Sequence, residues 1–276
     1  MKEEDGFYQT STGAKRHFHF FMADPEKASV LLIHGLGEHV LRYEDVAAGF
    51  TSEGFSLLGF DLPGHGRSAG KRGHIRRFGE FISEVKQFRQ FLETRDLHPI
   101  FVMGHSLGGL IAFHYGLTNP SGVKGFVLSS PGLKVRMKVP SWKIALGKGF
   151  SSVFPGFTQD SDLPPESIST QPEEVEKYRN DPLVHSKITA RFFVEMTRAM
   201  EEVFQKSRGF TLPVIIIQGE EDPLVDPEGA KMLFKTIGSA DKELQLYPGS
   251  YHEVFHDLAR GQALRDVSRW IEKHLD

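Results

Sequence analysis

Ile100-Phe-Val-Met-Gly-His-Ser-Leu-Gly-Gly109 joins a short apolar run to a second apolar stretch through a glycine-flanked serine. Residues 100–103 have the pattern of a strand buried on both faces, and residues 107–117 read as a helix. Between them, Gly104-His-Ser-Leu-Gly108 fits G-x-S-x-G, the sharp strand-to-helix turn that raises a serine hydroxyl out of a sheet. Gly104 and Gly108 flank Ser106 because such a turn leaves no room for a Cβ where neighbouring backbone comes close. Ser106 is therefore the first candidate for a reactive residue.

The same alternation continues on either side. Strand-like runs occur at 16–22, 30–33, 56–60, 125–129, 214–218 and 243–247, and helical patterns at 43–53, 78–94, 227–237 and 258–274. This predicts an α/β fold, a mostly parallel central sheet flanked by helices. From about Leu133 to Arg208 no strand-like run is seen and the patterns are helical, so residues 133–208 read as an insertion in a core made of 1–132 and 209–276.

Composition narrows the function classes. With 39% hydrophobic and 25% charged residues the chain has the balance of a soluble globular protein. Its net charge of −3 argues against a nucleic-acid binder. The absence of cysteine excludes a disulfide framework, a thiol nucleophile and a cysteine-ligated metal. A polar, acidic start with no apolar segment behind it, and no apolar run long enough to span a bilayer, points to a cytoplasmic protein, with contact to a membrane from outside left open.

The insertion carries its own charge pattern. Lys134, Arg136, Lys138, Lys143 and Lys148 occur with no acidic residue between Gly132 and Gln159. Trp142, Ala145, Leu146, Gly149, Phe150, Val153 and Phe154 fall on one helical face. Such a face either packs on the body of the protein or forms a lid that meets lipid, its lysines drawn to anionic head groups.

A serine hydroxyl needs a general base, itself oriented by an acid. Asp222 follows the run Val214-Ile-Ile-Ile-Gln-Gly219, and His252 follows Leu244-Gln-Leu-Tyr247, so both stand at carboxyl ends of predicted strands, where reactive groups gather in open sheets. The other reading of Asp222 is a helix cap or turn residue, with Asp226, just before Pro227, the rival acid. For oxyanion donors, Val30-Leu-Leu-Ile-His-Gly-Leu-Gly37 runs from strand into tight turn, and the Leu36 amide pairs naturally with that of Leu107. His-Gly-Leu-Gly lacks the Lys and Ser/Thr of a phosphate loop. His252-Glu-Val-Phe-His256 is a literal H-E-x-x-H zinc signature, but the Pro-Gly-Ser before it is poor context for the helix that zinc binding requires.

Taken together these motifs resemble the serine α/β-hydrolases, and more narrowly the monoglyceride lipase and lysophospholipase group. The resemblance rests on His34-Gly-Leu-Gly-Glu-His39 with Arg42-Tyr43, Asp61-Leu-Pro-Gly-His-Gly-Arg-Ser68, Gly104-His-Ser-Leu-Gly-Gly109, Asn180-Asp-Pro-Leu183 and Tyr251-His-Glu253, and spans nearly the whole chain. It implies a cap inserted after the sixth core strand, an apolar acyl tunnel beneath it, and hydrolysis of a monoacylglycerol to fatty acid and glycerol by Ser106, His252 and Asp222. No metal or organic cofactor is implied. By the same resemblance Glu38 and Arg42 lie near the polar end of the pocket, as contacts to glycerol hydroxyls or as an internal ion pair. A lysophospholipase or general carboxylesterase with the same triad is the nearest alternative, and a non-catalytic receptor on this fold the alternative of another class. Oligomeric state is not legible from the sequence.

Overall fold

Strands Ala28–Ile33 (β3), Phe55–Phe60 (β4), Phe101–His105 (β5), Gly125–Ser129 (β6) and Val214–Gly219 (β9) are buried at every residue. Strands covered on both faces read as continuous apolar runs, which is why these were visible in the sequence. The computed structural model describes residues 1–136, 153–161 and 163–275. With Lys2–Gln9 (β1), Lys15–Met22 (β2) and Lys242–Tyr247 (β10) the strands form an eight-stranded sheet in the order β1-β2-β4-β3-β5-β6-β9-β10. From β4 to β10 every pairing is parallel, whereas β1 and β2 are joined antiparallel.

Alternate side chains along each strand feed two separate cores. Leu31, Ile33 and Val102 pack with Phe81, Val85 and Phe88 of Gly79–Glu93 (α2) and with Leu110 and Ile111 of Leu107–Gly116 (α3). Val30, Leu32, Phe101 and Met103 face Val46 and Phe50 of Glu44–Ser52 (α1) and a helix at the chain's end, Arg260–Lys273, whose Val267 and Trp270 are buried. The sheet is thus sandwiched by helices.

The strand β1 was not expected. Its sequence KEEDGFYQ is polar and its residues are mostly exposed, yet it pairs with β2 along its full length, from Lys2 opposite Met22 to Gln9 opposite Lys15. Charge on an edge strand blocks further strand addition, so polarity here fits the position while hiding the strand.

Between β6 and β9 the chain forms Thr158–Asp160 (β7), Pro172–Asn180 (α4), Lys187–Thr189 (β8) and Ala190–Lys206 (α5). The antiparallel pair β7-β8 corrects the expectation of a strand-free insertion; three residues each are too few to give a periodic signal. Phe192, Ala199 and Val203 of α5 join the core beside α2 and α3, and Thr189 caps the helix by accepting from the Phe192 amide. Residues 137–152 lie outside the described residues, and with them most of the amphipathic face read from the sequence. Of that face Val153 and Phe154 are described, and both are exposed. After β9, Pro227–Thr236 (α6) starts at Asp226, which accepts from the Glu228 amide. Among the described residues no helix is long and apolar enough to cross a membrane.

Candidate active site

Ser106 sits between β5 and α3 with φ 53° and ψ −114°, a conformation that a non-glycine residue holds only where its surroundings force it. Its amide donates to Ser129 O at 2.9 Å, and its carbonyl accepts from the amides of Leu110 and Gly132 at 3.1 and 2.9 Å. A Cβ on Gly108 would overlap the Ile33 carbonyl oxygen, and one on Gly104 the Gly108 carbonyl. The two glycines therefore let the helix approach β3 and β5 closely enough to bend the chain at the serine.

Two loops from neighbouring strands meet this turn. After β9, Asp222 is fully buried; its Oδ1 accepts from the Leu224 and Val225 amides at 2.8 and 2.9 Å, and its Oδ2 from Gln218 Nε2 at 2.9 Å. After β10, His252 donates from Nδ1 to Asp222 Oδ2 at 2.7 Å. Burial by itself would raise the Asp222 pKa, but the charge and hydrogen bond of His252 and the two amides hold it below the ordinary value. Burial lowers the basicity of His252, yet the Asp222 carboxylate, helped by Glu253 and Glu38, raises it above an ordinary histidine. The His252 ring stands beside the elbow, 4.9 Å between centroids from the ring of His105, which burial and the neighbouring His252 push down to about 4 and so keep neutral. Among the described residues no hydrogen bond joins Ser106 to His252, a looseness common in unliganded sites.

The turn after β3 passes over the elbow, since a Cβ on Gly35 would lie 3.3 Å from Ser106 Cβ. Neither the Leu36 nor the Leu107 amide is taken up by an acceptor among the described residues, and Leu107 opens α3, where amides lack partners within the helix. The turn is held from below. His34 donates from Nδ1 to Gly35 O at 2.8 Å and accepts at Nε2 from the Leu62 amide at 2.9 Å, so it is neutral, and burial pushes its pKa down. Asp61 binds the Val40 and Arg67 amides and His17 Nδ1; burial opposes its charge, but these donors hold its carboxyl at about 2.

Glu38 and Arg42 form an ion pair. Arg42 NH1 donates to Glu38 Oε2 and to Glu253 Oε1, each at 2.7 Å, and NH2 to Glu253 Oε2 at 2.8 Å. Glu38 Oε1 accepts from the Gly35 amide and from Tyr43 Oη. The rival acid Asp226 is a helix cap and pairs with Lys134 Nζ at 2.7 Å. The H-E-x-x-H stretch is no α-helix: a single 3-10 turn covers Val254–His256, His252 precedes it, and His256 Nε2 donates to Arg42 O at 3.0 Å while His252 faces Asp222. The two rings do not share a helix face, so the zinc signature is coincidental.

Sequence reading missed the partners that tie the insertion to these loops. His39 Nε2 lies 2.8 Å from Asp181 Oδ2, the His185 amide donates to Gly37 O at 2.9 Å, and the Glu253 amide donates to Ile168 O at 2.7 Å. Asp181 belongs to the Asn180-Asp-Pro-Leu183 motif, which was visible; its partner was not.

Sheet order, the serine elbow and loops at the strands' carboxyl ends together make the α/β-hydrolase fold. The family described as "Serine aminopeptidase, S33" matches residues 24–259. A monoacylglycerol lipase of Mycolicibacterium smegmatis is 34% identical over 254 residues, 91% of this chain and 90% of its own length. Phospholipase YtpA of Bacillus subtilis is 30% identical, with 92% of this chain and 98% of its own covered. The crystal structure of the Paleococcus ferrophilus monoacylglycerol lipase superposes with a TM-score of 0.82 at 33% identity, over 99% of this chain and all of that one. On sequence and architecture alike, the chain belongs to the serine aminopeptidase S33 family of α/β-hydrolases, the family it shares with these monoacylglycerol lipases.

Proposed function

We propose that the protein hydrolyses monoacylglycerols to fatty acid and glycerol through an acyl-enzyme. Ser106 Oγ attacks the ester carbonyl as His252 takes its proton; Asp222 fixes the Nδ1–H tautomer and stabilises the imidazolium. The amides of Leu36 and Leu107 receive the developing oxyanion. His252 then passes its proton to the departing glycerol oxygen; a water deprotonated by His252 attacks the acyl carbonyl, and the fatty acid leaves as His252 returns the proton to Ser106 Oγ.

The observation that carries the mechanism is the buried Asp222–His252 bond beside a strained serine elbow. The substrate class rests on the relatives' names, and a relative named phospholipase favours lysophospholipid as the second reading. Residues 133–208 are read as a cap over the site, and its lysines as a means of peripheral membrane contact from the cytoplasm; vesicle binding unchanged by Lys143→Glu with Lys148→Glu would remove that contact.

The deciding experiment measures initial rates on a monoacylglycerol, the matching diacylglycerol, a lysophospholipid and a short soluble ester, beside Ser106→Ala. Monoacylglycerol preference that vanishes in the variant supports the proposal. Turnover of the short ester alone reduces it to a general esterase, and failure of Ser106 to take a fluorophosphonate label would leave a receptor.

A further inference from the structure

Two of the groups proposed for this reaction, the Leu36 amide and His252, stand on loops whose strands are not paired with each other. The Leu36 amide lies in the turn after β3 and His252 in the loop after β10, and three strands, β5, β6 and β9, separate β3 from β10 in the sheet. A direct tie between these two loops must therefore come from above the sheet.

We propose that Arg42 is a positioning residue, which holds the Leu36 amide and the His252 ring in register by clamping Glu38 and Glu253; this rests on the hydrolase reading. Glu38 accepts the Gly35 amide and so fixes the His34–Gly35 peptide, one peptide before the Leu36 amide. Glu253 follows His252 directly, and both its carboxylate oxygens are forked by the Arg42 guanidinium. One cation thus grips both loops.

The surroundings keep Arg42 at that task. Its side chain is 7% exposed, its two terminal nitrogens are spent on carboxylates, and the Tyr178 ring of α4 covers its guanidinium at 4.7 Å. Tyr43 Oη secures Glu38, and His256 secures both ends of the clamp, with Nδ1 3.2 Å from Glu253 and Nε2 on the Arg42 carbonyl. Buried ion pairs of this kind add little net stability over apolar packing, and their attested use is to specify one arrangement. A planar fork is needed to reach both carboxylates, so lysine keeps the charge and loses the geometry.

The test compares wild type with Arg42→Lys on a monoacylglycerol and on the p-nitrophenyl ester of the same acyl chain. A misplaced oxyanion turn acts on the transition state of either ester, so kcat should fall by about 10- to 100-fold on both, with KM changed by less than about twofold. A raised KM on the glycerol ester alone, with the aryl ester untouched, would make Arg42 a substrate contact and overturn the proposal. So would unchanged kcat on both. Glu253→Gln gives an independent reading should Arg42→Lys fail to fold. His252 is faced by Asp222, Glu253, Glu38 and His105, and loss of one negative charge should move the acid limb of kcat/KM to lower pH together with a fall in kcat. A lowered melting temperature with kcat and the limb unmoved would mark the cluster as structural only. If wild type hydrolyses neither ester, the hydrolase reading fails, and the proposal with it.

Discussion

His252 and Asp222, thirty residues apart, share a 2.7 Å hydrogen bond in which every oxygen lone pair of the carboxylate has a donor within reach. The acid is therefore held by four donors, and only one of them is the histidine.

Replacing Asp222 with Asn keeps an acceptor for the Leu224 and Val225 amides but turns an NH₂ toward both His252 Nδ1 and Gln218 Nε2. The imidazole must then present its lone pair at Nδ1 and its proton toward Ser106. In a comparable triad this change costs about 10⁴ in kcat. We expect a loss of that order with the melting temperature little affected, measured by steady-state kinetics alongside a thermal melt.

Asp226→Ala should separate the two acids near this loop. It removes a helix cap and an exposed ion pair to Lys134, so it should cost about 1 kcal/mol in denaturant unfolding and leave turnover within about twofold. A large loss of activity would show that Asp226, and not Asp222, serves the histidine.

The pH profile follows from the raised His252 pKa. The base must be neutral, so kcat/KM should fall as pH drops through a value above 6.5, the ordinary histidine position. The stability contributed by the same pair runs the other way. A group whose pKa is higher folded than unfolded contributes fully below its unfolded value and loses that contribution as pH rises through the folded one. Thermal melts in parallel with rates should therefore show this contribution fading where activity grows, and an acid limb below 6.5 would contradict the site's electrostatics.

Arg16 and Glu84 form a buried bidentate pair between β2 and α2, with Nε and NH2 at 2.9 and 2.6 Å from the two carboxylate oxygens. Glu84→Ala leaves the guanidinium buried without its counter-charge and should cost about 3–5 kcal/mol. Arg16→Met combined with Glu84→Leu should recover most of that in urea unfolding.

Legibility in the sequence followed the range of the interactions. Val214-Ile-Ile-Ile and Ile100-Phe-Val-Met announce buried strands because each residue is apolar for a local reason, and the turns behind them are where Asp222 and Ser106 stood as candidates by position alone, as His252 did behind Leu244-Gln-Leu-Tyr247. The strand β1 escaped because its polar residues suit an edge and its pairing with β2 supplies what its side chains do not. Arg42 with Glu253 spans 211 positions, and no local pattern signals such a pair, although Glu253 itself stood in the Tyr251-His-Glu253 motif and in a zinc-like signature that the 3-10 turn dissolves. Asp226, the rival acid in the sequence, caps α6 instead.

The stitching of residues 168–185 to the loops of the core sets where this protein can be recombined with others. Ile168 holds the Glu253 amide, Ser169 Oγ donates to His256 O, Tyr178 covers Arg42, Asp181 meets His39, and His185 binds Gly37. A chimera that exchanged everything between β6 and β9 would strip the walls from the loops of Leu36 and His252 at once. Residues 168–185, and with them β7 through its pairing with β8, travel with the sheet even though the chain order places them in the insertion.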